Sequence, residues 1–310
     1  MPTSRRDFLK QAGVTSAGVS MLNGWSAECL MAASARKMFF EISLAEWSLH
    51  RTLQAGKLTN MEFPAKAKTD FGINAVEYVD QFFKDKANDQ TYLSELKKRA
   101  EDLGVRNVLI MVDTAGPLAD LDETKRKQAV ESHYQWVDAA KFLGCHSIRV
   151  NLRGKGTADE IAKSSVDGLG RLAEYGRKAG IGVIVENHGG YSSDGKWLMQ
   201  VIRQINNPYA GTLPDFDNFK LTDTAVYDRY LGVQEMMPFA KGVSAKARDF
   251  DEQGNEVTID YDRLLQIVKK EKTPAFKGYI GIEYSGNRLS EDDGIRATKA
   301  LLDRIGQRVS

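Results

Sequence analysis

Between Phe39 and Arg304 the chain alternates eight short apolar runs with segments whose apolar residues recur at helical spacing. The runs are residues 39–44, 75–80, 107–113, 147–153, 181–186, 211–216, 241–246 and 278–284. Continuous runs of this kind, rich in Val and Ile, read as strands buried on both faces, as in a parallel sheet. The helical segments cover 64–68, 92–103, 124–143, 158–179, 196–205, 224–237, 261–270 and 292–304, and the second, third and fourth stop at Gly104, Gly144 and Gly180. Glycine is the residue that most readily ends a helix. Strand and helix alternating eight times over about 270 residues is the size and order of a single (β/α)8 barrel. A doubly wound open sheet would want a glycine-rich phosphate loop after its first strand. Leu44-Ala45-Glu46-Trp47-Ser48 is not such a loop. The expected fold class is therefore α/β, one TIM barrel.

No linker or shift of composition divides the region that follows the first 35 residues. Those residues read differently. Ser4-Arg5-Arg6-Asp7-Phe8-Leu9-Lys10 matches the twin-arginine export consensus, and a weakly apolar Gly/Ala/Ser-rich stretch leads to Ala33-Ser34-Ala35, a small-x-small cleavage site. The expectation is a signal peptide over 1–35, a barrel over 36–310 and a periplasmic protein exported already folded. Lys and Arg total 43 against 42 Asp and Glu, which offers no electrostatic case for nucleic acid or an anionic membrane. No apolar run is long enough to span a bilayer, so no membrane association is expected after cleavage. Two cysteines, Cys29 and Cys145, make no disulfide framework. A homo-oligomer is left open.

A barrel's site lies at the C-terminal ends of its strands. Those positions hold Trp47 and His50, Glu77 and Asp80, Asp113, Asn151 and Arg153, Glu186 and His188, Asp215, Ser244 and Lys246, and Glu283. The densest of them is Val-Glu186-Asn-His188-Gly-Gly, where a strand ends on a carboxylate and an imidazole two residues apart, on one face if the alternation continues. Carboxylates at the ends of strands five, six and eight would converge on one half of the mouth. Three anionic groups facing one another repel and raise each other's pKa unless a cation sits among them. Oxygen-rich ligation suits Mn²⁺, the first expectation, or Mg²⁺, with Zn²⁺ or Co²⁺ if a histidine binds directly.

Val-Glu186-Asn-His188-Gly-Gly, Leu-Pro-Asp215-Phe-Asp-Asn-Phe and Gly-Ile-Glu283-Tyr-Ser-Gly resemble the xylose isomerase-like barrels, the sugar phosphate isomerase/epimerase family. The resemblance extends over nearly all of the chain after the leader. It implies a metal held by Glu186, Asp215 and Glu283, with a strand-seven histidine as fourth ligand. Here that segment reads Val-Ser244-Ala-Lys246, so water, substrate or His188 would have to fill the fourth place.

The function expected is a metal-dependent isomerase or epimerase that abstracts a proton next to a carbonyl of an unphosphorylated sugar or polyol. Glu186 and Glu283 would serve as base and acid, and His188 and Lys246 would polarise oxygens. Trp47 would offer a platform to a sugar face, or simply pack. Glu77, Asn151 and Arg153 would contact substrate, or only brace neighbouring groups. Two alternatives stand beside this reading: a lyase that β-eliminates from a 3-keto sugar or glycoside, and a non-catalytic sugar-binding barrel, which Ser244 keeps in play. Endonucleolytic cleavage of abasic DNA, another chemistry of these barrels, would need a histidine cluster and a basic patch. The chain has four histidines and no such patch.

Overall fold

Eight parallel strands form the frame of the computed structural model, which describes residues 37–310 except 273 and 275. The leader assigned to residues 1–35 lies outside the described residues. The strands are β1 (Glu41–Ala45), β2 (Ala75–Val79), β3 (Arg106–Val112), β4 (Ser147–Val150), β5 (Gly182–Glu186), β6 (Ala210–Leu213), β7 (Val243–Ala247) and β8 (Tyr279–Tyr284). Around them run α1 (His50–Gln54), α2 (Phe63–Phe71), α3 (Gln90–Asp102), α4 (Glu123–Leu143), α5 (Ala158–Ala179), α6 (Gly195–Ile205), α7 (Arg229–Met236), α8 (Tyr261–Glu271) and α9 (Glu291–Val309). The single (β/α)8 barrel is the fold.

Sheet order is β6-β5-β4-β3-β2-β1-β8-β7, every ladder parallel. The ring closes between β6 and β7 through single bridges, Thr212 to Ala240 and Asp215 to Ser244. Around the second bridge, the Ser244 amide donates to Pro214 at 2.9 Å and the Phe216 amide donates to Ser244 at 3.0 Å. Proline has no amide hydrogen, which limits the ladder at this seam. On the other side of β6 a side chain takes over from backbone. Asn187 accepts the Asp215 amide at 2.7 Å and donates to the Asp215 carbonyl at 3.1 Å, extending the β5–β6 pairing one step beyond β5.

Period-two alternation sorts each strand between two cores. Val183 and Val185, Ile148 and Val150, Val243, Ala245 and Ala247, and Ile280, Ile282 and Tyr284 pack outward against the helices. Ala45, Val79, Leu109, Met111, Ile184 and Leu213 plug the barrel interior. The inward positions toward the C-terminal ends are polar: Ser43, Glu77, Arg149, Asn151, Glu186, Ser244, Lys246 and Glu283 are all buried. The local signals are equally regular. Asp89, Asp122, Thr157, Asp194, Asp228, Asp260 and Ser290 each accept a backbone N–H at a helix start. Gly144 and Gly180 close α4 and α5 in the left-handed conformation.

Three expectations shift at the strand ends and loops. The fourth run ends as a strand at Val150, so Arg153 stands on a loop, exposed. The fifth ends at Glu186, so alternation no longer dictates where His188 points. The helix expected over 224–237 begins only at Arg229, because a Lys220–Val226 antiparallel bridge occupies the preceding residues and Asp228 caps the start. The stretch after β7 folds back as a loop pinned by a Phe250–Glu256 bridge.

Candidate metal centre

Glu186 at the end of β5, Asp215 just after β6 and Glu283 on β8 meet at the C-terminal mouth, all buried. One oxygen from each lies within 4.8 Å of the others. Asp215 is the most tightly held. Its Oδ1 accepts the amides of Asp217 and Asn218, both at 2.8 Å, and its Oδ2 accepts the Ser244 hydroxyl at 2.7 Å. That hydroxyl also lies 3.1 Å from Glu283 Oε2. A serine has one hydroxyl proton, so only one of the two carboxylates receives it at a time. Glu283 Oε1 is met instead by the Lys246 ammonium at 2.6 Å, which is 3.8 Å from Asp215. Glu186 Oε1 accepts from the Asn218 amide at 2.9 Å. Its Oε2 lies 2.8 Å from Arg149 Nε, but the N–H is not aimed at it, and this oxygen has no hydrogen-bond donor.

Burial pushes Glu186 and Asp215 up to about 7, against the pull of Arg149 on the first and Lys246 on the second. Glu283 is buried too, yet Lys246 beside it, followed by Arg149, brings its carboxyl below the usual range. Against the three carboxylates stand two buried cations, Arg149 and Lys246, and Arg149 also serves Asp113 with a 2.6 Å bond. Burial opposes ionisation of Asp113, but Arg149 carries it down to about 2. Negative charge is therefore in excess.

A divalent cation fits this donor set. The donors are all oxygen, as hard cations prefer, and Glu186 holds one oxygen that carries no hydrogen bond. Two oxygens bound at roughly 2.1–2.2 Å to one ion are at most about 4.4 Å apart, close to the 4.8 Å within which these oxygens lie. The cluster could hold a metal.

The other expected residues fall at different depths. Glu77 is buried in the barrel wall, where Ser43 donates to its Oε1 at 2.6 Å and its Oε2 has no partner. Burial raises Glu77 to about 7. Gly281 faces it, and a Cβ there would sit 2.5 Å from the carboxylate, so only glycine leaves room. Asn151 donates to Asp113 at 2.7 Å and leaves its own Oδ1 unpartnered. Trp47 is half-buried, stacked on His50 at 4.8 Å and packed toward Phe82. His188 is exposed in the mouth. It is nevertheless recessed among protein atoms, and that desolvation, with the charges of Arg149 and Lys246, lowers its pKa. Arg153 reaches the mouth from its loop.

Three contributors escaped the sequence reading. Arg149 lies inside β4, two residues before Asn151 and so on the same face, and a charged residue within an apolar run was the available signal. Asn187 and Asn218 act through loop geometry, which their residue type alone does not announce.

The profile of the xylose isomerase-like TIM barrels matches residues 65–305. The chain belongs to that family. No curated protein matches it in sequence. Solved structures of xylose isomerase-like barrels match it in fold. The IOLI protein with a bound zinc atom superposes with a TM-score of 0.68 at 14% identity, over 87% of this chain and 99% of that one. A D-allulose 3-epimerase from Methylomonas sp. gives 0.66 at 14% identity, over 87% and 99%. The 3-keto-D-glucoside 4-epimerase of E. coli gives 0.61 at 14% identity, over 86% and 99%. Sugar epimerases and isomerases are thus among the structural neighbours of this barrel.

Proposed function

We propose that the protein is a metal-dependent sugar isomerase or epimerase, working by proton abstraction next to a carbonyl of an unphosphorylated sugar or polyol. The observation that carries this reading is the buried triad Glu186, Asp215 and Glu283, with net negative charge, at the mouth of a barrel whose neighbours process sugars. Held there, a divalent ion (Mn²⁺ first, then Mg²⁺, Co²⁺ or Zn²⁺) would supply Lewis-acid polarisation of the substrate carbonyl. Glu186 is balanced near neutrality, the condition under which a carboxylate both takes and returns a proton. Glu283, kept anionic by Lys246, is the second carboxylate for the opposite face of the substrate. Lys246 and a neutral His188 donate to substrate oxygens. Asn151 Oδ1, Arg153 and Trp47 line the approach to them. Returning the proton to the other face of the same carbon gives an epimer, and delivering it to the neighbouring carbon gives an isomer. Loss of a β-substituent instead would make the enzyme a lyase. The twin-arginine reading of residues 1–35 supports a periplasmic site of action and an unphosphorylated substrate.

Two measurements test this. Mass-spectrometric metal analysis of the protein beside a Glu186→Gln, Glu283→Gln double variant is expected to find about one ion per chain, absent from the variant. Keto sugars in D2O are expected to take up deuterium next to the carbonyl, followed by NMR. Lys246 and Arg149 already offset part of the triad's charge, and this favours a second reading, a sugar-binding barrel without catalysis. Sugar binding with neither metal nor deuterium uptake would decide for it.

A further inference from the structure

On the side of strands β4 to β6, outside the carboxylate cluster, lies a cavity of about 590 Å³. Leu152, Ile161, Leu221 and Ala225 wall it, and the half-exposed Tyr191 stands at its rim. Two of its lining residues tie it to the candidate centre. Arg153 also lines the small cavity over Asp113 and Asn151. His188 lines it while lying close enough to the cluster to feel Glu283 and Asp113. Arg153 and His188 thus stand on the side of the cavity toward the carboxylate cluster, and the buried Leu152 and Ile161 form part of its wall, with Asp194 and Thr222 completing the polar lining.

The rim is apolar and braced. Among the described residues, five large apolar side chains are exposed; one of them, Tyr191, lines this cavity, and two more, Val226 and Leu121, stand next to residues at or near its edge. Tyr191 lines it, Val226 follows the lining Ala225, and Leu121 lies against Gly156, whose carbonyl accepts the Tyr191 hydroxyl at 3.2 Å. The Tyr191 ring stacks on Trp197 at 5.7 Å, and Trp197 is itself anchored by a 3.1 Å bond to Ala158. An aromatic face held in place in this way binds a ring with little ordering cost.

His188 and Arg153 serve the sugar from one side of this space, but proton transfer on one sugar ring has no use for its apolar wall of Leu152, Ile161, Leu221 and Ala225. Its volume falls within the range of small-molecule pockets, roughly 300–1,000 Å³. A stable protein interface needs about 800 Å² from each partner, far more than three side chains offer. We propose that the cavity receives an apolar ring attached to the sugar, so that the substrate is a glycoside with an apolar aglycone whose sugar ring carries a ketone, the carbonyl that proton abstraction requires, and not a free monosaccharide. This rests on the sugar reading above and narrows it.

The test is isothermal titration calorimetry of the full chain with matched methyl and phenyl glycosides of the common hexoses, each oxidised to a ketone at a ring carbon. For the hexose that binds, the phenyl glycoside is expected to bind at least about tenfold more tightly than the methyl one, from the extra apolar area buried. In Tyr191→Ala and Leu221→Asn, both at partly exposed positions and checked for folding by circular dichroism, the ratio falls to within about threefold. Equal affinities in the wild type, or a ratio unchanged in both variants, would overturn the proposal while leaving the sugar reading standing. Binding of no sugar at all would overturn both. Self-association in sedimentation velocity that Tyr191→Ala abolishes would reassign the rim to a second copy of the chain and overturn the glycoside proposal.

Discussion

Arg149 is the cation wedged between Asp113 and Glu186, and it is buried. Arg149→Met would strand two carboxylates, and removing one partner of a buried ion pair costs about 3–5 kcal/mol. Urea denaturation of the variant is expected to show a loss of that order. Lys246 has a different effect. Its ammonium lies 2.6 Å from Glu283 Oε1, on one of the three carboxylates that would hold the metal. A unit charge at such a distance interacts by several kcal/mol even at an effective dielectric of about 20. Lys246→Met should therefore raise Mn²⁺ affinity at least tenfold, read by chelator competition, and at the same time lower deuterium uptake into substrate. Weaker metal binding in this variant would mean that the lysine helps to build the site and does not compete with the ion. At this scale Glu186, Asp215 and Glu283 were legible because each sits where an apolar run stops. Asn187 and Asn218 were not, since a loop amide looks the same in sequence whether it holds a carboxylate or faces water.

Elements are joined at the mouth by buried carboxylates outside the triad. Glu46, at the first turn after β1, accepts the Val79 amide at 2.8 Å and the Asn60 side chain at 2.9 Å, pinning that turn to β2. Burial raises its carboxyl from 4.5 to about 8 despite those donors. The folded protein thus retains a proton that the unfolded chain has released between pH 4.5 and 8, so this group's contribution to stability falls as pH rises through that window. Glu46→Gln removes the titration, and the gap between wild-type and variant unfolding free energies should change between pH 5 and 8 by on the order of a few kcal/mol. A constant gap would place the Glu46 titration in the ordinary carboxylate range. Glu291, at the start of α9, accepts the amides of Arg51 at 2.7 Å and Thr52 at 3.0 Å, capping α1 from the far end of the chain. Glu291→Ala is expected to cost about 1–3 kcal/mol in chemical denaturation. Helix starts and stops such as Thr157 with Glu160 and Gly180 could be read from sequence because capping is local. The strand end at Val150 could not, because a strand stops where its neighbour stops pairing.

For the molecule as a whole, an ion bound only by the folded barrel stabilises it by mass action. With metal at a hundred times its dissociation constant the gain is about 2.7 kcal/mol. Mn²⁺ should raise the melting temperature of the wild type and leave that of the Glu186→Gln, Glu283→Gln variant unmoved. An equal shift in both would place the ion elsewhere. The closed ring makes such a site feasible, since β5, β6 and β8 bring together residues 186, 215 and 283. Alternation of eight apolar runs with helical segments was enough, by itself, to determine the barrel, its inward faces and the carboxylates at its mouth. These follow from local periodicity and from the burial that a parallel sheet imposes. Only the tertiary structure decided that Lys246 pairs with Glu283, that Arg149 joins Asp113 to Glu186, and that His188 and Arg153 border a second cavity. Those outcomes depend on distances between residues remote in the chain, which packing sets and no local pattern encodes.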